Sequence, residues 1–254
     1  MKRYFLCLFF LLLASPAFTQ WQEARTTQGV AGAIVVGSPA CSTPATGDEL
    51  NEGFLGAGYE NTWTETIGSG GTVNEDATLT GTPPTGSCTE GLNIIDSAAN
   101  SRTRWNRGST IDTSEVNFDV GLSFRINSIT LDNYSYAALL TWSNGTDPST
   151  NVVYWLEFRN NNGTYQIRIN STTDSTVKNI SLETWYEVLI HSDATPENSY
   201  IQYTPGTDCD VAGECAFTTT EGTDGQYLHL GNLGSMGAGE AIDIEFGYVY
   251  MSTP

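Results

Sequence analysis

Three carboxylates gather near the end of this 254-residue chain, in Gly239-Glu240-Ala241-Ile242-Asp243-Ile244-Glu245-Phe246. Paired carboxyl groups do nucleophilic and acid–base work on acetals, and a retaining glycosidase holds two of them about 5–5.5 Å apart across the scissile bond. Residues two apart on a β-strand share a face, so Asp243 and Glu245 point the same way. Glu240 lies three positions before Asp243 and falls on the opposite face unless a bulge re-aims it. The slot that would complete a same-face triad, two before Asp243, holds Ala241. The favoured reading is therefore an ordinary half-buried strand, with Ile242, Ile244 and Phe246 toward a core and Asp243 and Glu245 toward water. Glu245 is expected to be solvated and without a catalytic role.

The elements that must position such residues are strands. From residue 53 onward, short apolar-alternating runs are separated by clusters of Gly, Asn, Asp, Ser and Pro, and no amphipathic helical stretch of useful length appears. Phe118, Val120, Leu122, Phe124 and Ile126 share one face; so do Val152, Tyr154, Leu156 and Phe158, then Tyr165, Ile167 and Ile169, then Tyr186, Val188 and Ile190. Asn161-Asn162-Gly163 marks a tight hairpin between the second and third runs. Strands with one apolar face each require a second sheet to cover them. The expectation is an all-β sandwich of two antiparallel sheets.

Met1-Lys2-Arg3, an apolar run from Tyr4 to Ala14 and Ser15-Pro16-Ala17 have the three regions of a secretory signal peptide, expected over residues 1–19. Residues 20–50 read as a leader or linker. Cys7 lies inside the apolar run, leaving Cys41, Cys88, Cys209 and Cys215, an even set suited to disulfides in an oxidising compartment. Of the three pairings, Cys209 with Cys215 and Cys41 with Cys88 is preferred because Cys209 and Cys215 bound a short loop. A net charge of −19, with 29 acidic against 10 basic residues, excludes the basic patch that nucleic acid or anionic membranes require. No other long apolar segment follows the first, so the exported protein is expected to be soluble, secreted, periplasmic or held at a cell surface, with no membrane insertion.

Several segments together resemble a known superfamily: Asn51-Glu52-Gly53-Phe54 leading to Gly58-Tyr59-Glu60-Asn61-Thr62-Trp63-Thr64-Glu65; Phe158-Arg159-Asn160 with Gly163-Thr164-Tyr165; Thr184-Trp185-Tyr186; and Leu228-His229-Leu230-Gly231. Their order is similar to that of the concanavalin A-like lectins and glucanases, in the laminin-G-like branch, over residues 51–254. The resemblance implies a jelly roll of two curved antiparallel sheets, with ligands lying across the concave one. In lichenase- and laminarinase-type glucanases the catalytic strand reads Glu-x-Asp-x-Glu, and here Ala241 takes the nucleophile's place. The resemblance also implies a structural Ca²⁺ near the paired first and last strands, for which Glu52 and Asp243 are the candidate ligands, although Leu55 follows Phe54 where the family often has an acid.

The sides of the middle strands opposite the apolar faces carry Ser123 and Arg125, then Trp155, Glu157 and Arg159, then Gln166 and Arg168, then Trp185, Glu187 and His191. Aromatic rings offer plates for sugar faces, and guanidinium groups offer directed hydrogen bonds to hydroxyls and carboxylates. Arg125, Trp155, Glu157, Arg168, Trp185 and His191 are the candidate ligand set, and the clustering of Arg102, Arg104, Arg107, Arg125, Arg159 and Arg168 favours an acidic polysaccharide. The competing reading makes Arg125, Glu157, Arg159 and Arg168 cross-strand ion pairs of little energetic worth. Only His191 and His229 could serve a hydrolytic triad, and a tyrosine with His191 and Arg168 could serve a lyase. The expected function is non-catalytic binding of a polysaccharide or glycan surface. An extracellular polysaccharide hydrolase or lyase is the alternative, and a structural surface or fibre component the second.

Overall fold

Period-two alternation becomes a sandwich in the computed structural model, which describes residues 48–52, 63–83, 90–97, 104–107, 117–147, 152–193, 198–205, 209–210, 213–219, 227–231 and 237–252. For 48–52, 104–107, Asp76 and Ser252 only the backbone is described. The expected signal peptide, most of the leader, Cys41 and Cys88 lie outside these residues. Among the described residues no helix is long and apolar enough to cross a membrane.

Among the described residues fourteen strands, numbered in chain order, form two antiparallel sheets. Sheet 1 runs β12 (Tyr200–Thr204), β11 (Trp185–Ser192), β6 (Phe118–Thr130), β14 (Ala241–Ser252), β4 (Glu90–Asp96), β3 (Thr72–Thr78). β1 (Asp48–Glu52) pairs with the far half of β14, beyond the stretch that pairs with β4. Sheet 2 runs β10 (Lys178–Asn179), β9 (Thr164–Asn170), β8 (Val152–Asn161), β7 (Tyr136–Ser143), β13 (Tyr227–Gly231), β5 (Arg104–Arg107), β2 (Trp63–Thr66). Neighbours distant in sequence, such as β6 with β14 and β7 with β13, are the long crossovers of a jelly roll.

One core fills the space between the sheets. Val120, Leu122, Phe124 and Ile126 of β6 share one core cluster with Tyr154, Leu156 and Phe158 of β8, and the Phe118 ring lies 5.3 Å from that of Trp142 of β7, tilted by 49°. Each such side chain contributes about 1.5–3 kcal/mol on burial, so the alternation fixes which way every strand faces. Ile242, Ile244 and Phe246 are buried as the pattern requires. At the start of β8 the expectation fails by one residue. The pairing skips from Trp142↔Tyr154 to Ser143↔Val152, and this bulge puts Val153 in the core in place of Val152, which is half-buried.

The β8–β9 hairpin turns at Asn162 and Gly163, both with positive φ (53° and 87°), as a two-residue turn of this kind demands. Gly163 N–H donates to Asn160 Oδ1 at 2.8 Å. At the β12 edge, the Cys209–Cys215 disulfide is formed, with both residues buried. The segment around it hydrogen-bonds to Ser199, Ile201 and Tyr203 on one side and, through Thr218, to Thr173 on the other. It thereby ties the edge of sheet 1 to the end of β9 in sheet 2.

Candidate functional site

A strand in a sandwich has one face in the core and one outside, so the residues between the core positions fall on two separate outer faces. Arg125, Trp185 and His191 belong to β6 and β11 and lie on the outside of sheet 1. Trp155, Glu157 and Arg168 belong to β8 and β9 and lie on the outside of sheet 2. The single groove expected from the sequence is therefore two sets of residues on opposite sides of the molecule.

The outer face of sheet 2 opens into a cleft of about 230 Å³ whose lining includes Tyr134, Tyr136, Trp155, Glu157, Arg159 and Arg168. Its base is electrostatic. Glu157 is buried, and a buried carboxylate persists as an ion only when its lone pairs are filled. Arg168, its cross-strand partner, donates through Nε at 3.1 Å and through a second guanidinium nitrogen at 3.3 Å, and Asn170 adds a third bond at 3.0 Å. Asp174 takes the remaining edge of Arg168. Two carboxylates thus absorb the Arg168 charge.

The wall of the cleft is aromatic. Tyr136 and Trp155 lie nearly parallel, 13° apart with centroids at 6.4 Å. Tyr136 is 47% exposed and Tyr134 75%, although large apolar groups ordinarily withdraw from water. Tyr134 also has φ 69°, a left-handed conformation costly for a bulky residue. Its backbone is held all the same: its N–H donates to Asn160 O at 2.7 Å, Asn160 N–H donates to Ser135 O at 3.1 Å, and Asn160 Nδ2 donates to Leu131 O at 2.8 Å.

Glu240 clamps the same turn from below. It does not sit on the far face of a strand, as expected, because β14 begins one residue later, at Ala241. Its buried carboxylate accepts the Asp132 N–H at 2.9 Å and the Gly237 N–H. Burial raises its pKa, but hydrogen bonds from Ser135, Gly237 and Asp132 outweigh this and hold it below the usual glutamate value.

Elsewhere on this face, Ser143 Oγ and His229 Nε2 stand 2.9 Å apart. Ser143 gives its one proton to Gly145 O at 2.8 Å, so His229 Nε2 must be the donor in the pair. A histidine donating to a serine is not the base that would activate it. Thr141 Oγ1 and Trp155 Nε1, on cross-strand partner residues, are buried without hydrogen-bond partners.

The outer face of sheet 1 is built differently. Glu245, expected in water, is 4% exposed. It accepts from Thr80 N–H at 3.0 Å and Thr80 Oγ1 at 2.5 Å and stands 3.9 Å from its cross-strand partner Arg125, itself buried. Trp185 is also buried, its Nε1–H spent on Thr80 O at 2.8 Å. The loop at Thr80 thus covers residues that alternation alone assigns to solvent. Farther along, Leu189, Tyr248 and Tyr250 form a second buried apolar cluster, and the Tyr250 ring lies on Gly121, where an added Cβ would stand 2.0 Å from it.

Asp243, a candidate calcium ligand, is half-buried and hydrogen-bonded through one oxygen. Its Oδ1 accepts from Asn93 Nδ2 at 2.7 Å and Asn127 Nδ2 at 3.3 Å. Both amides are fixed in that sense, since Arg125 can only donate to Asn127 Oδ1 and Asn93 Nδ2 also donates to Ile244 O. Calcium needs six to eight oxygens, and the groups bonded to Asp243 Oδ1 are amide N–H donors. Glu52, its proposed companion, is described only in its backbone. Among the described residues no group of three His, Cys, Asp or Glu side chains stands ready for a metal.

His191 lies at the end of sheet 1, between Asp119 (Nδ1 to Oδ1, 2.6 Å) and Asp193 (Nε2 to Oδ2, 3.7 Å), and stacks on Tyr200 at 4.7 Å. Burial pulls its pKa down, but the Asp119 hydrogen bond and charge, then Asp193, carry it above the usual histidine value. It is held between carboxylates, on the sheet opposite the cleft.

No protein-family model matches the chain, and no curated protein sequence matches it. Solved structures do. Cellulose induced protein Cip1 superposes with a TM-score of 0.51 at 9% identity, over 77% of this chain and 93% of that one. The marine PL7 alginate lyase AlyA1 from Zobellia galactanivorans gives 0.49 at 13% identity, over 76% and 95%. Alginate lyase AlyC3 in complex with dimannuronate gives 0.43 at 9%, over 65% and 76%. The likeness is one of fold, and it defines the class: an all-β sandwich of the jelly-roll type.

Proposed function

We propose that this protein is an exported, non-catalytic carbohydrate-binding module of the concanavalin A-like, laminin-G-like kind, and that it holds a polysaccharide across the outer face of sheet 2. The observation that carries this is the solvent-facing aromatic wall of Tyr134, Tyr136 and Trp155 above a polar base whose members are locked by one another. Pyranose rings have apolar faces and equatorial hydroxyls, so they need a flat apolar plate beside fixed hydrogen-bonding groups. The cleft offers both, on a scale that suits a single ring. The exposed backbone strain at Tyr134 supports the same reading, since such outliers persist where a function holds them. The buried unpartnered atoms of Thr141 and Trp155 lie on the same face. The Cys209–Cys215 bond fits an oxidising compartment, in keeping with export.

The test is retention on a panel of immobilised polysaccharides, scored together with release of reducing or unsaturated ends. Wild-type protein should be retained by at least one polymer without releasing product. Tyr136→Ala should weaken that retention roughly tenfold, the scale of one lost aromatic contact of 1–1.5 kcal/mol. Product release, or retention unchanged in Tyr136→Ala, overturns the proposal.

A further inference from the structure

We infer that the ligand of the sheet 2 cleft is a uronic-acid polysaccharide, and that Arg159 is the residue that reads its carboxylate. The inference rests on the carbohydrate-binding reading of the same cleft and narrows the ligand class.

The cleft contains two guanidinium groups in different states. Arg168 is bonded on every edge to Glu157 and Asp174, so its charge is spent inside the protein. Among the described residues Arg159 makes one polar contact, from Nε to Gln166 Oε1 at 3.1 Å, and no ion pair. Gln166 is itself fixed, its Oε1 accepting from Asn161 Nδ2 at 3.2 Å and its Nε2 donating to Asn179 Oδ1 at 2.8 Å. A guanidinium anchored through Nε keeps its two terminal nitrogens side by side and free. That edge presents parallel N–H bonds, the geometry that matches a planar carboxylate in two bonds.

Placement completes the argument. Arg159 sits directly across the ladder from Tyr136, the exposed plate on which a ring would lie. A sugar stacked there brings its ring substituents to the neighbouring strand, where the free edge waits. Glu157 and Asp174 are already committed to Arg168, so a ligand carboxylate would meet Arg159 without displacing an ion-pair partner. A neutral glycan would leave this guanidinium edge without an ionic partner; a uronate supplies one.

Polygalacturonate, polymannuronate, the same polymers after carboxyl reduction, and dextran sulfate serve as probes, each by affinity electrophoresis with wild type, Arg159→Gln and Arg159→Lys. Wild type should bind a uronate polymer at least roughly tenfold more tightly than its reduced form, the scale of a hydrogen-bonded charge. Arg159→Gln should erase that preference, and Arg159→Lys should keep part of it. A preference surviving in Arg159→Gln, or wild type binding reduced and native polymers equally, overturns the assignment. Dextran sulfate bound as strongly as the uronates and released by Arg159→Gln would replace carboxylate with sulfate. If no polymer is retained, acidic or reduced, the carbohydrate reading itself fails.

Discussion

The two outer faces of the sandwich share an alternation pattern and differ in what they do with it. On sheet 1 the outward side chains are buried and mutually satisfied: Glu245 and Arg125 under the Thr80 loop, Leu189, Tyr248 and Tyr250 in an apolar cluster. On sheet 2 the outward side chains include two tyrosines in water and an arginine with one partner. One face has its interactions closed internally and adds stability; the other keeps flat apolar area and a cationic edge for something else. The difference teaches that carboxylate spacing alone does not mark a site. The Asp243/Glu245 pair belongs to the closed face, and the open face is marked by aromatics that ought to be hidden.

The largest effect that would test this division is in stability. Glu245→Ala leaves Arg125 buried without its carboxylate and Thr80 without its acceptor, and should cost roughly 3 kcal/mol, the range for one partner removed from a buried pair. Urea denaturation measures it, and polysaccharide retention below the transition should not change. A stability loss under 1 kcal/mol would show that the sheet 1 face is not closed by this network. Lost retention in a folded variant would move the binding face.

How much of this was legible beforehand follows from what alternation encodes. Period two states which side chains leave the core, and Phe118 to Ile126, Tyr154 to Phe158 and the Asn162-Gly163 turn stand where it puts them. It does not state to which sheet a strand belongs, so Trp155 and Trp185 read as one surface although the sandwich lies between them. Nor does it state whether an outward face is covered. Glu245 is covered through Thr80, 165 residues away in sequence, a contact no local pattern contains. Tyr134 and Tyr136 flank a turn, outside the alternating strand runs that encode faces. Two tyrosines in the polar run Asp132-Asn133-Tyr134-Ser135-Tyr136 were nonetheless a signal of their own.

A smaller effect sharpens the open face. Tyr134 is held at φ 69°, and a side chain in the left-handed region costs on the order of 1–2 kcal/mol that glycine does not incur. If the ring served only the fold, nothing would favour tyrosine there. Tyr134→Gly should therefore raise stability by up to about 1 kcal/mol, after the entropy glycine adds to the unfolded chain, and should weaken polysaccharide retention. Stabilisation with retention intact would remove Tyr134 from the site; destabilisation would mean that its ring packs more than its exposure indicates.

The smallest effects are pH-linked and carry opposite signs on the two sides of the molecule. Glu240, under the Tyr134 turn, has its folded value lowered from 4.5, because hydrogen bonds from Ser135, Gly237 and Asp132 outweigh burial. Its contribution is complete above the ordinary glutamate value and is lost as pH falls through the folded one. His191 is raised from 6.5, with Asp119 and Asp193 outweighing burial. Its contribution is complete below the ordinary histidine value and is lost as pH rises through the folded one. Melting temperature against pH should thus decline on both limbs. Glu240→Gln should flatten the acid limb and also weaken retention, since it loosens the turn that carries Tyr134. Asp119→Asn should flatten the limb above 6.5 and leave retention untouched, because His191 sits on the closed sheet. An Asp119→Asn variant with altered retention would couple the faces, and that coupling would end the division of labour drawn between them.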